Sequence, residues 1–259
     1  MMLELIKNSA ILPGPGRPLE RCLLDRIPAD AQYVLIGEAS HGTEEFYSMR
    51  AELTKMLIQE RGFNAVVVEA DFPPAFRANM MWRNTVVTRF VDWLRQHNAQ
   101  IPQEQRYAQG AGFYGLDLYS LHESAAKVVE FLSGVDQDAA IRAKARFQCF
   151  DRYGADTMAY AYAVGVGGAP SCANAALSVL KEVGRKADAQ KLDGEYGEEA
   201  AFAARCNAAV VKGAEGYYRN LFFGEELTWN LRDAHFLETV KALDSHLSRR
   251  VEMPKLVLW

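Results

Sequence analysis

The sequence predicts an α/β fold: a mostly parallel sheet with flanking helices and an inserted helical-bundle subdomain. Four short aliphatic runs stand out, at 33–38, 64–70, 112–117 and 255–259, and three of them are continuously apolar. Such runs are typical of strands buried on both faces of a parallel sheet. Helical patterns separate the first three runs, which gives the alternation of an α/β protein. The long alanine-rich stretch from about 136 to 250 shows few strand signals.

Composition excludes several classes of protein. The chain has 259 residues and a formal net charge of −4, so it can bury a large core but has no overall field that would hold nucleic acid or an anionic membrane. We therefore expect no nucleic-acid partner and no membrane partner. The N-terminus lacks the order of a signal peptide, which predicts a cytoplasmic protein. The four cysteines form no CxxC pair and are predicted to be reduced thiols.

Hydrophobic periodicity predicts three helices in the first half of the chain. The first runs from about 43 to 61 and ends at Gly62, the second covers 83–97, and the third covers 120–132. Apolar residues recur at helical spacing in the first two. These residues are Phe46, Met49, Leu53, Met56, Leu57, Val86, Val87, Phe90, Trp93 and Leu94. Ser120 and Glu123 match a capping box at the start of the third helix.

The second half is predicted to be helical almost throughout. Residues 165–171 indicate a loop, and 198–222 and 225–249 indicate two long helices separated at Gly224. The organisation predicted is one composite domain in three parts. They are an α/β part at 1–135 that carries the strand-end motifs, a helical subdomain at 136–250, and a final strand at 251–259 that returns to the sheet.

Polar residues follow three of the predicted strands. In open α/β sheets, ligands bind outside the carboxyl ends of the strands, so these positions are the first candidates for a site. The first strand is followed by Glu38, Ser40 and His41, the second by Glu69 and Asp71, and the third by Asp117 and then His122.

His41 lies between Gly37 and Gly42, just before the first predicted helix. The positive end of a helix favours a neutral imidazole, which can accept a proton as a general base. The alternative interpretation is that His41 only caps the turn. The Glu38 carboxylate three residues earlier favours the catalytic interpretation, because a carboxylate can orient an imidazole.

Glu69 and Arg50 are charged residues in apolar surroundings. Glu69 directly follows three valines, and a buried carboxylate is costly unless it is paired. Arg50 lies on the apolar face of the first helix, so it needs an anion, which could be Glu69, Glu38 or a substrate carboxylate. The alternatives are a purely structural salt bridge for Glu69 and a solvent-exposed guanidinium for Arg50.

Further polar residues lie on later helices. His122 occupies the first turn of the helix after the third strand, and Asn230, Arg232, Asp233 and His235 occupy the last long helix. A solvated face is the default interpretation for the latter four. His97 and His246 are expected at the surface near helix ends. No GxSxG, Walker, GxGxxG or HExxH motif is present, which disfavours serine-hydrolase chemistry, nucleotide binding and the common metal sites.

Three motifs together resemble the erythromycin esterase family: GEASHG at 37–42, VVVEAD at 66–71 and WNLRD at 229–233. The resemblance implies an α/β fold with a helical bundle and a hydrolase in which a histidine activates water. By motif, it implies that the site contains Glu38, His41, Arg50, Glu69 and His122.

The sequence departs from the family pattern at two places. A segment usually separates the stretch like DFPPAFRAN from the stretch like MWRNT, whereas here they join near Met80. A histidine-bearing motif normally follows the strand like KLVLW, whereas this sequence stops at Trp259. The expectation is a truncated chain, whose hydrolytic activity would depend on the histidine of that missing motif.

The function predicted is hydrolysis of a small-molecule ester or lactone by histidine-activated water, without a cofactor. Glu38, His41 and Glu69 are the predicted catalytic residues, and those predicted to bind substrate are Arg50, Asp117, His122, Asn230 and Arg232. One alternative is a metal-dependent hydrolase, since Glu38, His41, Glu69 and His122 are ligand types that zinc or manganese uses. Another is a binding or accessory protein of the family without catalytic activity.

Overall fold

A computed structural model describes residues 15–72, 84–189 and 195–259. The predicted α/β class is confirmed: these residues form ten helices and a four-stranded parallel sheet. The helices are α1 (Leu19–Leu24), α2 (Glu44–Arg61), α3 (Thr85–Gln100), α4 (Gln103–Gln109), α5 (Leu121–Val135), α6 (Gln137–Asp151), α7 (Thr157–Gly165), α8 (Ala173–Ala189), α9 (Glu195–Arg219) and α10 (Glu225–Leu247). The strands are β1 (Tyr33–Leu35), β2 (Ala65–Asp71), β3 (Gly112–Asp117) and β4 (Leu256–Leu258). The predicted junction near Met80 and the predicted helix start at Arg83 lie outside the described residues.

The sheet has the strand order β1-β4-β2-β3, so the last strand of the chain lies between β1 and β2. Leu256 pairs in parallel register with both Tyr33 and Ala65. Burial on both faces explains the continuous apolar run of β2, in which residues 65–68 are fully buried. The first strand is shorter than predicted, because the chain leaves the sheet after the Ile36 N–H donates to the Leu258 carbonyl.

The ends of helix α2, which carries Arg50, are determined by residues close in sequence. It ends at Gly62, whose left-handed backbone (φ 70°, ψ 29°) closes the last turn on the Leu57 carbonyl. Glu44 and Glu45 in the first turn and Arg61 in the last turn complement the helix dipole. The predicted helix at 43–61 is therefore confirmed.

The chain divides into two compact units. Of the described residues, unit 1 contains 15–68, 84–113 and 248–259, and unit 2 contains 69–72, 114–189 and 195–247. The division passes through β2 and β3. The three-part division with limits at 135 and 250 stays a prediction.

Trp259 packs into the core of unit 1. The Trp259 indole N–H donates to the Thr54 hydroxyl at 2.9 Å, and its ring packs 4.9 Å from that of Phe90. The fully buried Leu57 and Val66 belong to the same core. A buried indole is stable when its N–H has a hydrogen-bond acceptor, and the Thr54 hydroxyl is the acceptor here.

Unit 2 contains the helices α5 to α10, and a continuous apolar cluster lies among α5 to α9. A polar network crosses it: the Tyr160 hydroxyl donates to the buried Glu215 carboxylate at 2.8 Å, and Arg219 Nε donates to the same carboxylate oxygen at 3.0 Å. Burial raises the pKa of Tyr160, so its hydroxyl stays a donor. No helix in the described ranges is long and apolar enough to span a membrane.

The prediction of four free thiols is wrong for two of them. Cys149 and Cys172 form a disulfide within unit 2, whereas Cys22 and Cys206 are free. The two partners lie 23 residues apart, one near the end of α6 and one just before α8. Their spacing carries no CxxC signal, because helix packing alone brings them together.

Two local predictions are also wrong. The Ser120 side chain makes no cap hydrogen bond, since the residue has φ −82° and ψ 47° instead of the extended backbone that a capping serine needs. His246 is buried, not at the surface. Its Nε2 lies 2.8 Å from a Glu199 carboxylate oxygen, and its ring stacks on Phe202 at 4.1 Å.

Candidate functional site

The loop between β1 and α2 in unit 1 brings three predicted site residues together, which we call the His41 cluster: Glu38, His41 and Arg50. His41 Nδ1 contacts Glu38 Oε1, and Arg50 Nη1 lies 3.0 Å from Glu38 Oε2. Gly42 has φ +81°, a conformation that favours glycine and lets the chain turn directly after His41 into α2.

Burial in this cluster increases from histidine to arginine. The side chain of His41 is 67% exposed, that of Glu38 is 9% exposed and that of Arg50 is 5% exposed. The alternative that the Arg50 guanidinium is exposed to solvent is therefore wrong. Of the three anions that the sequence offers as partners, Arg50 contacts Glu38. A carboxylate only accepts hydrogen bonds, so in neutral His41 the proton is on Nδ1 and the lone pair is on the outward-facing Nε2.

A second cluster in unit 2, the Arg232 cluster, consists of Glu69, Asp117 and Arg232. Arg232 binds Asp117 with two hydrogen bonds, of 3.0 Å from Nε and 2.7 Å from Nη2, and donates from Nη2 to Glu69 at 2.6 Å. The Tyr119 and Phe236 rings lie 5.2 and 4.9 Å from the guanidinium carbon. Burial alone would lower the pKa of Arg232, but Asp117 and Glu69 outweigh it and raise this pKa.

The two clusters account for six of the eight predicted site residues. The other two, His122 and Asn230, belong to unit 2. His122 is the second residue of α5 and is half-buried, whereas Asn230 is exposed on α10. Neither side chain has a hydrogen bond or ion pair to the described residues of unit 2. Their roles in substrate binding stay predictions.

The expectation of a solvated face is wrong for His235, which lies three residues after Arg232 on α10. Its side chain is buried, and its Nε2 has no hydrogen-bond partner among the described residues. A Cβ at Gly213 would lie 3.0 Å from the imidazole Nδ1, so the glycine permits this close approach. The signal available was the spacing of His235 with Thr239 and Leu243, a buried stripe at helical period.

Stability should depend on pH through His235. Burial lowers its pKa from 6.5 to about 4, although the nearby Asp117 charge opposes this. The unfolded chain therefore binds the proton first, and stability present above pH 6.5 is lost as the pH falls towards 4. We expect wild type to lose about 2–3 kcal/mol more than His235→Gln between pH 7 and 4.5, in urea unfolding. Equal losses in both proteins would contradict this.

Metal ligation was the predicted alternative for several of these residues. Within 15–72, 84–189 and 195–259, no three histidine, cysteine, aspartate or glutamate side chains are grouped so that they could hold a metal ion. The carboxylates of the His41 and Arg232 clusters instead contact basic side chains of their own cluster.

Fold and site together define a class: an α/β protein with paired acidic and basic side chains after parallel strands. The sequence profile of the erythromycin esterase family matches residues 58–259, and the chain belongs to this family. The matched residues include the whole Arg232 cluster and begin after Arg50, so the His41 cluster lies outside them.

Three solved structures share the fold. A succinoglycan biosynthesis protein is 17% identical, with 97% of this chain and 62% of that chain aligned at a TM-score of 0.67. A protein from Bacillus cereus is 15% identical, with 99% and 64% aligned at a TM-score of 0.73. An erythromycin esterase mutant in its open conformation is 14% identical, with 89% and 60% aligned at a TM-score of 0.58. The chain spans less than two thirds of the length of each.

Proposed function

We propose that this chain is part of a hydrolase that cleaves a carboxylic ester or lactone with histidine-activated water. One observation carries the proposal: Glu38 contacts His41 through one carboxylate oxygen and Arg50 through the other, while the imidazole itself is exposed. Membership of the erythromycin esterase family supports a hydrolase, and the name of the family supports an ester or lactone as the substrate.

In the proposed reaction, His41 Nε2 takes a proton from water as the water oxygen attacks the carbonyl carbon. The imidazolium that forms is stabilised by Glu38, and it returns the proton to the leaving alkoxide when the tetrahedral intermediate collapses. A positioned general base contributes about 10²–10⁴-fold to a rate. Arg50 fixes the Glu38 carboxylate, so it acts on the reaction through the orientation of His41.

The Arg232 cluster has a different proposed role. All three hydrogen bonds found for its guanidinium go to Asp117 and Glu69, and these contacts support a role for Arg232 in positioning the two carboxylates. Glu69 has a side chain that is 34% exposed, compared with 6% for Asp117. Glu69 is therefore the carboxylate of this cluster that we propose to interact with substrate or water.

Hydrolysis of simple substrates tests the function. The purified chain is incubated with p-nitrophenyl acetate, p-nitrophenyl butyrate and δ-valerolactone, with and without prior chelation by EDTA. The proposal expects turnover above the buffer rate that survives EDTA and falls at low pH, because a protonated imidazole cannot accept a proton. Turnover abolished by EDTA and restored by zinc or manganese would support the metal-dependent alternative. Rates equal to buffer for all three substrates would contradict an esterase activity of this chain.

Substitutions of Arg50 test the buried ion pair. Arg50→Ala leaves the Glu38 carboxylate buried without its cation, and we expect a loss of about 2–3 kcal/mol in the free energy of unfolding. Arg50→Lys should lose less, because an ammonium keeps the charge but not the planar fork. Both variants should also lower turnover, since Glu38 is then free to rotate away from His41. Unchanged unfolding and turnover in Arg50→Ala would show that the pair is dispensable.

A further inference from the structure

Unit 2 also contains a cavity of about 550 Å³ between α6 and α8. Arg146 of α6 lines one side, and the remaining lining residues are Ser178, Lys181, Gly184, Arg185 and Asp188 of α8. Positions 178, 181, 185 and 188 follow the helical period, so the cavity runs as a groove along one face of α8. None of these residues belongs to the His41 or the Arg232 cluster.

The groove has an excess of positive charge. Lys181 and Arg185 lie four residues apart on α8, are exposed, and have no acidic partner among the described residues. Like charges at this spacing destabilise a helix. Among the described residues that line the groove, the one acidic residue is Asp188, and Arg205 Nη2 already binds it at 2.5 Å. A bound anion would relieve the repulsion between Lys181 and Arg185.

Arg146 adds a third cation from the facing helix. Its Nη1 contacts the buried Glu182 carboxylate, which also accepts two hydrogen bonds from Arg142. Although burial opposes it, this pairing lowers the pKa of Glu182, so the carboxylate stays charged and anchors Arg146. The side chain of Arg146 is still 36% exposed, and the N–H groups that do not face Glu182 can donate to an oxyanion in the groove.

Gly184 also lines the groove, and it lies between Lys181 and Arg185 in the sequence. A Cβ at this position would meet no atom within 4 Å, so packing does not require a glycine here. Glycine in the middle of a helix is less stable than alanine. Compared with alanine, glycine at this position leaves more open space in the groove but makes α8 less stable.

We propose that this groove binds a small soluble phosphate monoester. Three cations and the Ser178 hydroxyl around one open space match the charge and the acceptor oxygens of a phosphoryl group. A volume of about 550 Å³ exceeds that of a phosphate alone, which leaves room for the organic part of the ester.

Calorimetric titration of the purified chain with inorganic phosphate and with glycerol 3-phosphate, at constant ionic strength, tests the proposal. We expect saturable binding that Lys181→Ala/Arg185→Ala weakens about tenfold or more, since each charge-assisted hydrogen bond lost costs affinity. Lys144→Ala, which removes an exposed cation of α6 outside the groove, is the matched control and should bind as wild type does. The absence of saturable binding, or equal binding in the double variant, overturns the proposal.

Gly184→Ala separates a ligand site from a structural feature. Its methyl group should raise the melting temperature of the free chain by stabilising α8, and at the same time weaken glycerol 3-phosphate binding by filling the groove. Unchanged affinity in this variant overturns the assignment of the groove. Binding to vesicles of phosphatidic acid in phosphatidylcholine, without binding of free glycerol 3-phosphate, would assign the cations to a lipid surface and overturn a soluble ligand.

Discussion

His41→Ala is expected to lower kcat for the best ester substrate by about 10²-fold or more, the usual contribution of a general base. The imidazole is the exposed end of a chain of contacts that runs from Arg50 through Glu38, so its removal takes away the proton acceptor and leaves the buried pair in place. The fold should therefore be retained, because an exposed side chain contributes little to stability. Steady-state kinetics beside circular dichroism measures both effects.

His97→Ala is the matched control for this prediction. His97 also belongs to unit 1, where it stacks on Trp93 at 5.2 Å, and it is bonded to neither Glu38 nor Arg50. Its removal should leave kcat within a few-fold of wild type. Glu38→Gln should reduce kcat as well, because an amide can donate to Nδ1 and favour the wrong tautomer. A folded His41→Ala protein with turnover near that of wild type would exclude His41 from the mechanism.

The parts of the fold that sequence predicted are those with local signals. Gly62 follows the last residue of α2, and Gly224 lies between α9 and α10, so both glycines mark real breaks between helical patterns. The valines of β2 form a continuous apolar run because both faces of a central parallel strand are buried. In each case, the residues that determine the element are neighbours in sequence, so its periodicity and end signals suffice to predict it.

The parts that sequence missed depend on contacts between distant segments. Cys149 and Cys172 carry no spacing signal, and His246 becomes buried only because Glu199 and Phe202 of α9 cover it. Burial of His235 is likewise a property of helix packing against Gly213. A histidine on an amphipathic helix has the same sequence signature whether it faces water or another helix, and only packing decides between the two.

The sequence predicts which residues belong to the candidate site, but it does not predict which of them pair with each other. The sequence predicts substrate binding for both Arg232 and Asp117, and in the structure they bind each other across 115 residues of sequence. The sequence predicts Arg50 on a buried helix face with three possible anionic partners, and in the structure it contacts Glu38. Strand-end position therefore predicts which residues carry charge into the interior, whereas the pairing of those charges requires the tertiary structure.

Arg232→Met is expected to destabilise the protein by about 3–5 kcal/mol, the cost of removing one partner from a buried ion pair. The Arg232 and Asp117 side chains are 14% and 6% exposed, so Asp117 would be left buried without its cation. Arg232→Lys should lose less, because it keeps the charge but not the fork that binds both Asp117 oxygens. Arg205→Met is the matched control in unit 2: its pair with Asp188 is exposed and should contribute under about 1 kcal/mol.

A second substitution tests whether the unpaired charge of Asp117 causes the loss of stability in Arg232→Met. Asp117→Asn in the Arg232→Met background removes the charge that was left without a partner, so the double variant should be more stable than Arg232→Met alone, a coupling that a double-mutant cycle measures. Urea unfolding at pH 7 gives the free energies for the four proteins of the cycle. Two outcomes would contradict this: a free energy of unfolding for Arg232→Met within about 1 kcal/mol of wild type, or a further loss of stability when Asp117→Asn is added. Either would show that the guanidinium does not hold the two carboxylates in the way its three hydrogen bonds indicate.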